Sequence, residues 1–235
     1  MKNLMINSIY RATEGEGIFV GIPCIFVRFQ GCALACKNCD SPETWSFNIA
    51  DTKSVEEVYR EIKKETFSEK IKRVSITGGD PLHPKHLEGV IALAIKLKSE
   101  GYYINVEASG NTVAKDLFDI VDFISFDFKT PSSGLKASPN LIVKMGNNYR
   151  NKFQIKSVIA DHDDFLAVQN SYAAVVSQLD EIDFPWILTP AYNVSEKFPQ
   201  ELFVNCLKWN EAIGGLFRVI GQQHKWIFGP DKKLV

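Results

Sequence analysis

The sequence lacks long hydrophobic runs and an excess of charge of either sign, and its cysteines are few and odd in number. No apolar stretch approaches the about 20 residues that cross a bilayer, and the segment 1–7 is too polar for a signal peptide. The 27 basic and 28 acidic residues leave a formal net charge of −1, which indicates neither a nucleic-acid nor an anionic-lipid partner. Five cysteines in 235 residues are few and odd in number, which argues against a disulfide framework and predicts a reducing, cytoplasmic environment.

Short runs of β-branched or aromatic residues alternate along the chain with helical patterns. This alternation is typical of βα units around a parallel sheet. No repeat, low-complexity segment or linker divides it, so we expect a single domain over residues 1–235. Six βα units are too few for an eight-fold barrel, and the pattern predicts an α/β fold, a partial (β/α)6 barrel open on one side. Strands are expected at 24–29, 71–77, 102–107, 122–127, 153–159 and 185–189, with a further short one at 216–220, and helices from 54, at 84–100, around 165–179 and at 198–213.

Three of the five cysteines lie in the loop 31–41, directly after the first predicted core strand. Cys32, Cys36 and Cys39 have the spacing Cys-x3-Cys-x2-Cys. Thiolates are soft ligands, and three of them on one loop can hold a [4Fe–4S] cluster with one iron left open. The alternative is a structural zinc site, which requires four ligands, whereas no fourth Cys or His lies nearby in the sequence.

This loop, in this context, resembles the radical S-adenosylmethionine superfamily. The segment Thr77-Gly78-Gly79-Asp80-Pro81, after the second strand, is similar to that superfamily's Gly-Gly-Glu-Pro motif, with Asp80 in place of Glu. The resemblance implies the superfamily's partial barrel and S-adenosylmethionine chelated to the open iron. Reduction of the cluster then yields a 5′-deoxyadenosyl radical, so the cofactor carries the reaction and no catalytic side chain is expected.

Polar side chains also follow the other predicted strands. Glu107 and Ser109 end the third strand and could reach the cofactor, the carboxylate by bonding a ribose hydroxyl; an ordinary polar turn predicts the same residues. Lys129, after the fourth strand, offers a point charge, against the alternative of a solvated loop lysine. Arg28 has a planar fork that could hold a substrate carboxylate bidentately, against the alternative of a surface ion pair.

The motifs together resemble the 7-carboxy-7-deazaguanine synthase family over most of residues 10–134. The matching features are Glu-Gly-Glu-Gly at 14–17, Gly-x-Pro at 21–23, Phe-Val-Arg at 26–28, the cysteine loop, the motif 77–81 and Lys-x-Pro-Ser-Ser-Gly at 129–134. The resemblance implies a lyase that converts 6-carboxy-5,6,7,8-tetrahydropterin into 7-carboxy-7-deazaguanine and releases ammonia. That step serves the biosynthesis of the 7-deazaguanine tRNA bases, queuosine and archaeosine alike.

The same resemblance implies a role for each matching residue. The pterin substrate is expected to contact Thr13, Glu14, Gly15, Arg28 and Thr77. S-adenosylmethionine is expected to contact Asn38, Cys39, Asp40, Gly79, Asp127, Phe128 and Lys129. Ser41 stands where the family has Thr as a Mg²⁺ ligand, and its hydroxyl is the same kind of hard oxygen. Glu14 replaces a Gln, which exchanges an amide donor for a group that only accepts while ionised.

The family also implies a homodimer and a reducing electron donor protein of the flavodoxin or ferredoxin type. Two other functions use the same cluster: an activase of a glycyl radical enzyme, and a non-enzymatic metal or Fe–S binding protein. An activase has no use for a carboxylate-binding Arg28 or for Mg²⁺ at Ser41, and a mere carrier would produce no 5′-deoxyadenosine.

Overall fold

The computed structural model describes residues 3–48, 51–194 and 196–235, and these form a sheet flanked by helices. The strands are β1 (Asn3–Thr13), β2 (Pro23–Phe29), β3 (Asp51–Ser54), β4 (Arg73–Gly78), β5 (Tyr103–Ala108), β6 (Phe123–Asp127), β7 (Phe153–Ile159), β8 (Trp186–Pro190) and β9 (Arg218–Val219). Their order in the sheet is β3-β1-β2-β4-β5-β6-β7-β8-β9. From β2 to β9 every neighbouring pair is parallel. With β3 and β9 at its two edges, the sheet forms the predicted α/β fold and is consistent with a partial barrel.

Helices connect the successive parallel strands, which confirms the expected six βα units. They are α1 (Val55–Glu65), α2 (Pro84–Ser99), α3 (Lys115–Phe118), α4 (Pro139–Asn148), α5 (His162–Val176) and α6 (Gln200–Ala212), and α7 (Gln223–Phe228) follows the last strand. Short 3₁₀ turns lie at Gly17–Phe19, Pro42–Thr44 and Pro131–Ser133. None of the helices among the described residues is both long and apolar enough to cross a bilayer.

Local sequence signals explain some of these boundaries. Helix α1 begins at a capping box, in which the Ser54 hydroxyl accepts from the Glu57 N–H at 3.2 Å and the Glu57 carboxylate accepts from the Ser54 N–H at 2.8 Å. Helix α2 packs on the core through Leu93 and Leu97, which are fully buried, whereas Ile95 is 55% exposed.

The sequence did not predict β1 and β3, which pair antiparallel at one edge of the sheet. In β1 only Leu4 and Ile6 are buried, and the other side chains are partly or fully exposed. Such a strand has too little apolar alternation to be distinguished from a loop. Its antiparallel register with β2 nevertheless places Thr13, where β1 ends, opposite Pro23 at the start of β2.

Four buried polar side chains link the parallel strands inside the barrel. The Asn105 amide donates to the Ser75 hydroxyl at 2.9 Å, the Ser125 hydroxyl donates to the Asn105 carbonyl oxygen at 3.3 Å, and the Gln154 amide donates to the Ser125 hydroxyl at 2.8 Å. The Ile18 N–H closes the row by donating to Gln154 at 2.9 Å. Because strand side chains repeat every second residue, the positions two residues further on face the same interior, one layer closer to the carboxyl ends.

Candidate active site

A cavity of ≈ 290 Å³ lies at the carboxyl ends of the parallel strands, and all predicted site residues line it. The substrate set is Thr13, Glu14, Gly15, Arg28 and Thr77; the cofactor set is Asn38, Cys39, Asp40, Gly79, Glu107, Ser109, Asp127, Phe128 and Lys129; the metal set is Cys32, Cys36, Cys39 and Ser41. Parallel α/β folds gather their working residues at this edge. The structure thus brings the three sets together, while the role of each residue stays a prediction.

One wall of the cavity is the cysteine loop. Cys32, Cys36 and Cys39 are free thiols that line it, and burial raises the pKa of Cys32 and Cys36. The Cys32 sulfur accepts from the Leu34 N–H at 3.5 Å, and the Cys39 sulfur accepts from the Ser41 N–H at 3.4 Å. N–H donors directed at ligand sulfurs are a feature of iron–sulfur sites.

The cavity lining supplies the ligands of an iron–sulfur cluster. Cys32, Cys36 and Cys39 all line it, and such clusters are held by cysteine thiolates. Each thiolate would bind a different iron. The remaining cysteines, Cys24 and Cys206, are buried in the core and do not line the cavity.

Backbone contacts with the turn after β4 hold the cysteine loop. The Gly79 N–H donates to the Phe29 carbonyl at 2.9 Å, and the Asp80 N–H donates to the Gly31 carbonyl at 3.0 Å. A Cβ on Gly79 would lie 2.4 Å from the Gly31 oxygen, and one on Gly78, whose φ is +118°, would lie 2.2 Å from the Phe29 nitrogen. These two glycines therefore allow the turn after β4 to approach the cysteine loop closely. Both also line the cavity.

Arg28 connects the predicted carboxylate site with the predicted Mg²⁺ ligand. Its guanidinium donates to the Ser41 hydroxyl at 2.9 Å and to the Tyr10 hydroxyl at 3.1 Å. Strand β2 ends at the next residue, so the side chain is fixed at the mouth of the barrel. A bidentate donor and a hydroxyl oxygen in contact form a suitable site for a carboxylate.

Charged residues form the layer above the buried polar row. Lys156 lies two residues after Gln154, and its ammonium contacts Glu107 at 2.6 Å and Glu16 at 3.5 Å. Burial opposes this charge, but the two carboxylates raise the Lys156 pKa well above its ordinary value. Lys156 was not predicted; its signal was the one lysine in the strand 153–159, at the position that the register pairs with Asp127.

A second ion pair lies in the same layer. Asp127 and Lys129 are 2.7 Å apart, and although burial opposes the charge of Lys129, the Asp127 carboxylate raises its pKa. Ser109 donates to Asp80 at 3.3 Å, and burial raises the pKa of that carboxyl. The strand-end residues that were predicted separately therefore contact one another.

Glu14 lies deeper than a simple substrate contact would require. It is 4% exposed, its Oε1 is 3.9 Å from the Arg73 Nε, and that oxygen has no hydrogen-bond partner. Arg73 in turn stacks on the rings of Phe19 and Tyr103. Burial, with the Glu107 carboxylate as a smaller contribution, raises the Glu14 pKa to about 7 despite the nearby cation.

The C-terminal segment closes the cavity, which His224 and Lys225 line. The Lys225 ammonium donates to Asp40 at 2.7 Å and to the Tyr192 carbonyl at 2.8 Å. Burial would raise the Asp40 pKa, but Lys225 and the other donors lower it. A Cβ on Gly15 would lie 2.0 Å from the His224 ring, so this glycine admits the C-terminal segment against the loop after β1.

Comparisons with known proteins agree with this site. The family described as "4Fe-4S single cluster domain" matches residues 13–126. A 7-carboxy-7-deazaguanine synthase of Leptospira interrogans serogroup Icterohaemorrhagiae serovar Lai (strain 56601) is 30% identical over 248 residues, covering 97% of this chain and 96% of that protein. One of Aquifex aeolicus (strain VF5) is 35% identical over 114 residues, 48% of each chain. The structure of QueE from Escherichia coli shares the fold, with a TM-score of 0.68 and 20% identity over 95% of this chain and 96% of that one.

Proposed function

The chain belongs to the 7-carboxy-7-deazaguanine synthase family, and we propose that it converts 6-carboxy-5,6,7,8-tetrahydropterin into 7-carboxy-7-deazaguanine with release of ammonia. The observation that carries this proposal is one cavity in which three free thiols share the walls with Arg28, Ser41 and a charged layer. A cluster site that faces a carboxylate site suits a substrate that must be held by its carboxylate beside the reacting group.

The enzyme uses a [4Fe–4S] cluster and S-adenosylmethionine. When bound, these cofactors supply a carbon radical that takes a hydrogen from the substrate and returns one. Cys32, Cys36 and Cys39 would hold the cluster. The other predicted contacts would bind the methionine, ribose and adenine parts of the cofactor: Asn38, Asp40, Gly79, Glu107, Ser109, Asp127, Phe128 and Lys129.

The substrate would be oriented by its carboxylate. Arg28 would bind that group, and Thr13, Glu14, Gly15 and Thr77 would contact the ring system. Among these residues, Ser41 would provide one ligand to Mg²⁺, its hydroxyl oxygen. The other ligands would be the substrate carboxylate and water molecules, since Mg²⁺ usually keeps several waters in its coordination shell. The closed C-terminal segment would exclude water from the reacting atoms.

Anaerobic reconstitution with iron and sulfide, followed by incubation with S-adenosylmethionine, a reductant and the carboxypterin, tests the proposal. We expect 7-carboxy-7-deazaguanine and an equal amount of ammonia, formed faster with Mg²⁺ than without. Formation of 5′-deoxyadenosine without the deazaguanine product would contradict the proposal and favour a glycyl-radical-enzyme activase. No 5′-deoxyadenosine at all would favour a non-enzymatic Fe–S binding protein.

We further propose that the protein works in a reducing cytoplasm with a flavodoxin- or ferredoxin-type donor, as a homodimer without nucleic-acid or membrane partners. Free thiols at the site support the reducing compartment. Exposed apolar side chains of the C-terminal region support a dimer face: Phe198 and Trp226 pack against each other, and Ile227 and Phe228 lie nearby in the sequence. Sedimentation of the holoenzyme would decide the oligomeric state.

A further inference from the structure

Trp45 is joined twice to the cysteine loop although no role was predicted for it. It follows the 3₁₀ turn Pro42–Thr44, and its carbonyl accepts from the Cys32 N–H at 3.1 Å. Its indole Nε1–H donates to the Cys39 sulfur at 3.4 Å, within the range of hydrogen bonds to sulfur. The half-buried side chain also lines the cavity.

This contact differs from the other N–H donors at the cluster cysteines. The donors from Leu34 to Cys32 and from Ser41 to Cys39 are backbone groups, which the path of the loop fixes. Within the described part of the chain, Trp45 is the one side chain seen to donate a hydrogen bond to a cluster cysteine. A substitution can therefore remove it without changing the backbone.

Hydrogen bonds to ligand sulfurs are among the factors that set the reduction potential of an iron–sulfur cluster. A reduced cluster carries one more negative charge than an oxidised one, and part of that charge lies on the sulfurs. A fixed N–H dipole directed at Cys39 stabilises the reduced state more than the oxidised state. The donor from Trp45 should therefore raise the potential and make reduction easier.

We propose that Trp45 is a positioning residue that sets the reduction potential of the cluster through its hydrogen bond to Cys39. One electron from a low-potential donor then enters the oxidised cluster more readily than it would without the indole N–H. The proposal rests on one part of the proposed function, namely that Cys32, Cys36 and Cys39 hold an iron–sulfur cluster. It can therefore be tested without the pterin substrate, and its failure is distinguishable from a failure of the ring-contraction assay.

The test is an anaerobic redox titration of the reconstituted holoenzyme, followed by the EPR signal of the reduced cluster, with wild type and Trp45→Phe. Phenylalanine keeps an aromatic ring and removes the N–H. At the wild-type midpoint potential, we expect the ratio of reduced to oxidised cluster in the variant to be at least threefold lower, a shift of about 30 mV for a one-electron couple. Trp209→Phe is the matched control, since this tryptophan packs on His162 and Phe165 and does not line the cavity. Its potential should equal that of the wild type.

A potential in Trp45→Phe that equals that of wild type and control, at the same iron and sulfide content, would overturn the proposal. If the variant does not retain its cluster, a measurement on the wild-type protein tests the hydrogen bond instead. Protein labelled with ¹⁵N in the indole ring should show a hyperfine coupling between that nitrogen and the reduced cluster in pulsed EPR. The absence of this coupling would overturn the proposal as well.

Discussion

Replacing the buried acid Glu14 by glutamine should stabilise the protein, and the gain should grow with pH. Glu14 is 4% exposed, and burial raises its pKa from 4.5 to about 7. Below pH 4.5 the carboxyl is protonated in both the folded and the unfolded chain, so it carries no ionisation cost. Between pH 4.5 and about 7 the unfolded chain releases this proton while the folded chain retains it. Wild type therefore loses stability as the pH rises through the folded pKa.

The magnitude follows from the shift in pKa. At 1.36 kcal/mol for each pKa unit, ionisation of Glu14 costs the folded state about 3 kcal/mol once the pH exceeds 7. Glutamine has nearly the same shape and no proton to lose. The difference in unfolding free energy between Glu14→Gln and wild type should thus grow by about 3 kcal/mol from pH 4.5 to pH 8. For a chain of this length that corresponds to roughly 6–12 °C in unfolding midpoint.

Thermal unfolding of the anaerobic holoenzymes between pH 5 and 8.5 measures this difference. The other titrating groups and the loss of the cluster are common to both proteins, so only the pH dependence of the difference matters. Glu211→Gln, at an exposed position on α6, is the matched control. A Glu14→Gln difference that is constant, or that shrinks as the pH rises, would mean that the folded chain holds Glu14 ionised beside Arg73.

Four further predictions follow from the site. Cys36→Ser should reduce the bound iron to less than half of the wild-type amount after reconstitution, measured by iron and sulfide analysis, because one of the three ligands is lost. Arg28→Lys should raise KM for the carboxypterin at least tenfold, with no change in the dissociation constant of S-adenosylmethionine, because the bidentate fork is lost. Ser41→Ala should abolish the Mg²⁺ stimulation that Ser41→Thr retains, as seen in rates with and without the ion. Lys225→Met should make the C-terminal segment more susceptible to limited proteolysis, because Asp40 loses its buried partner; unchanged cleavage would count against the segment's being held by this pair.

Much of the fold and of the site could be predicted because its signals are local in the sequence. The cysteine spacing, the Gly-Gly-Asp-Pro turn and the apolar runs of the parallel strands each lie within a few residues. Strands β2 and β4 to β9 were found within one or two residues of their ends. Thr77, Glu107 and Asp127 were recognised because each lies at the carboxyl end of a clear strand, and the barrel brings such positions to one edge.

The remaining features depend on contacts between distant parts of the chain. Glu107 and Lys156 are 49 residues apart, and Asp40 and Lys225 are 185 residues apart. Neither pair has a spacing that marks it in the sequence. Glu14 was predicted to contact the substrate, and only the structure shows that its carboxyl turns toward Arg73 inside the barrel. The single-domain organisation and the individual site roles stay predictions.

Mössbauer spectroscopy of protein reconstituted with ⁵⁷Fe, with and without S-adenosylmethionine, shows whether the cysteine loop holds a [4Fe–4S] cluster with one iron open to the cofactor. Three cysteine ligands predict a [4Fe–4S] cluster with one iron that differs from the other three, and the signal of that iron should shift when the cofactor binds. Zinc in place of iron, or a cluster whose four irons remain unchanged by S-adenosylmethionine, would contradict the account.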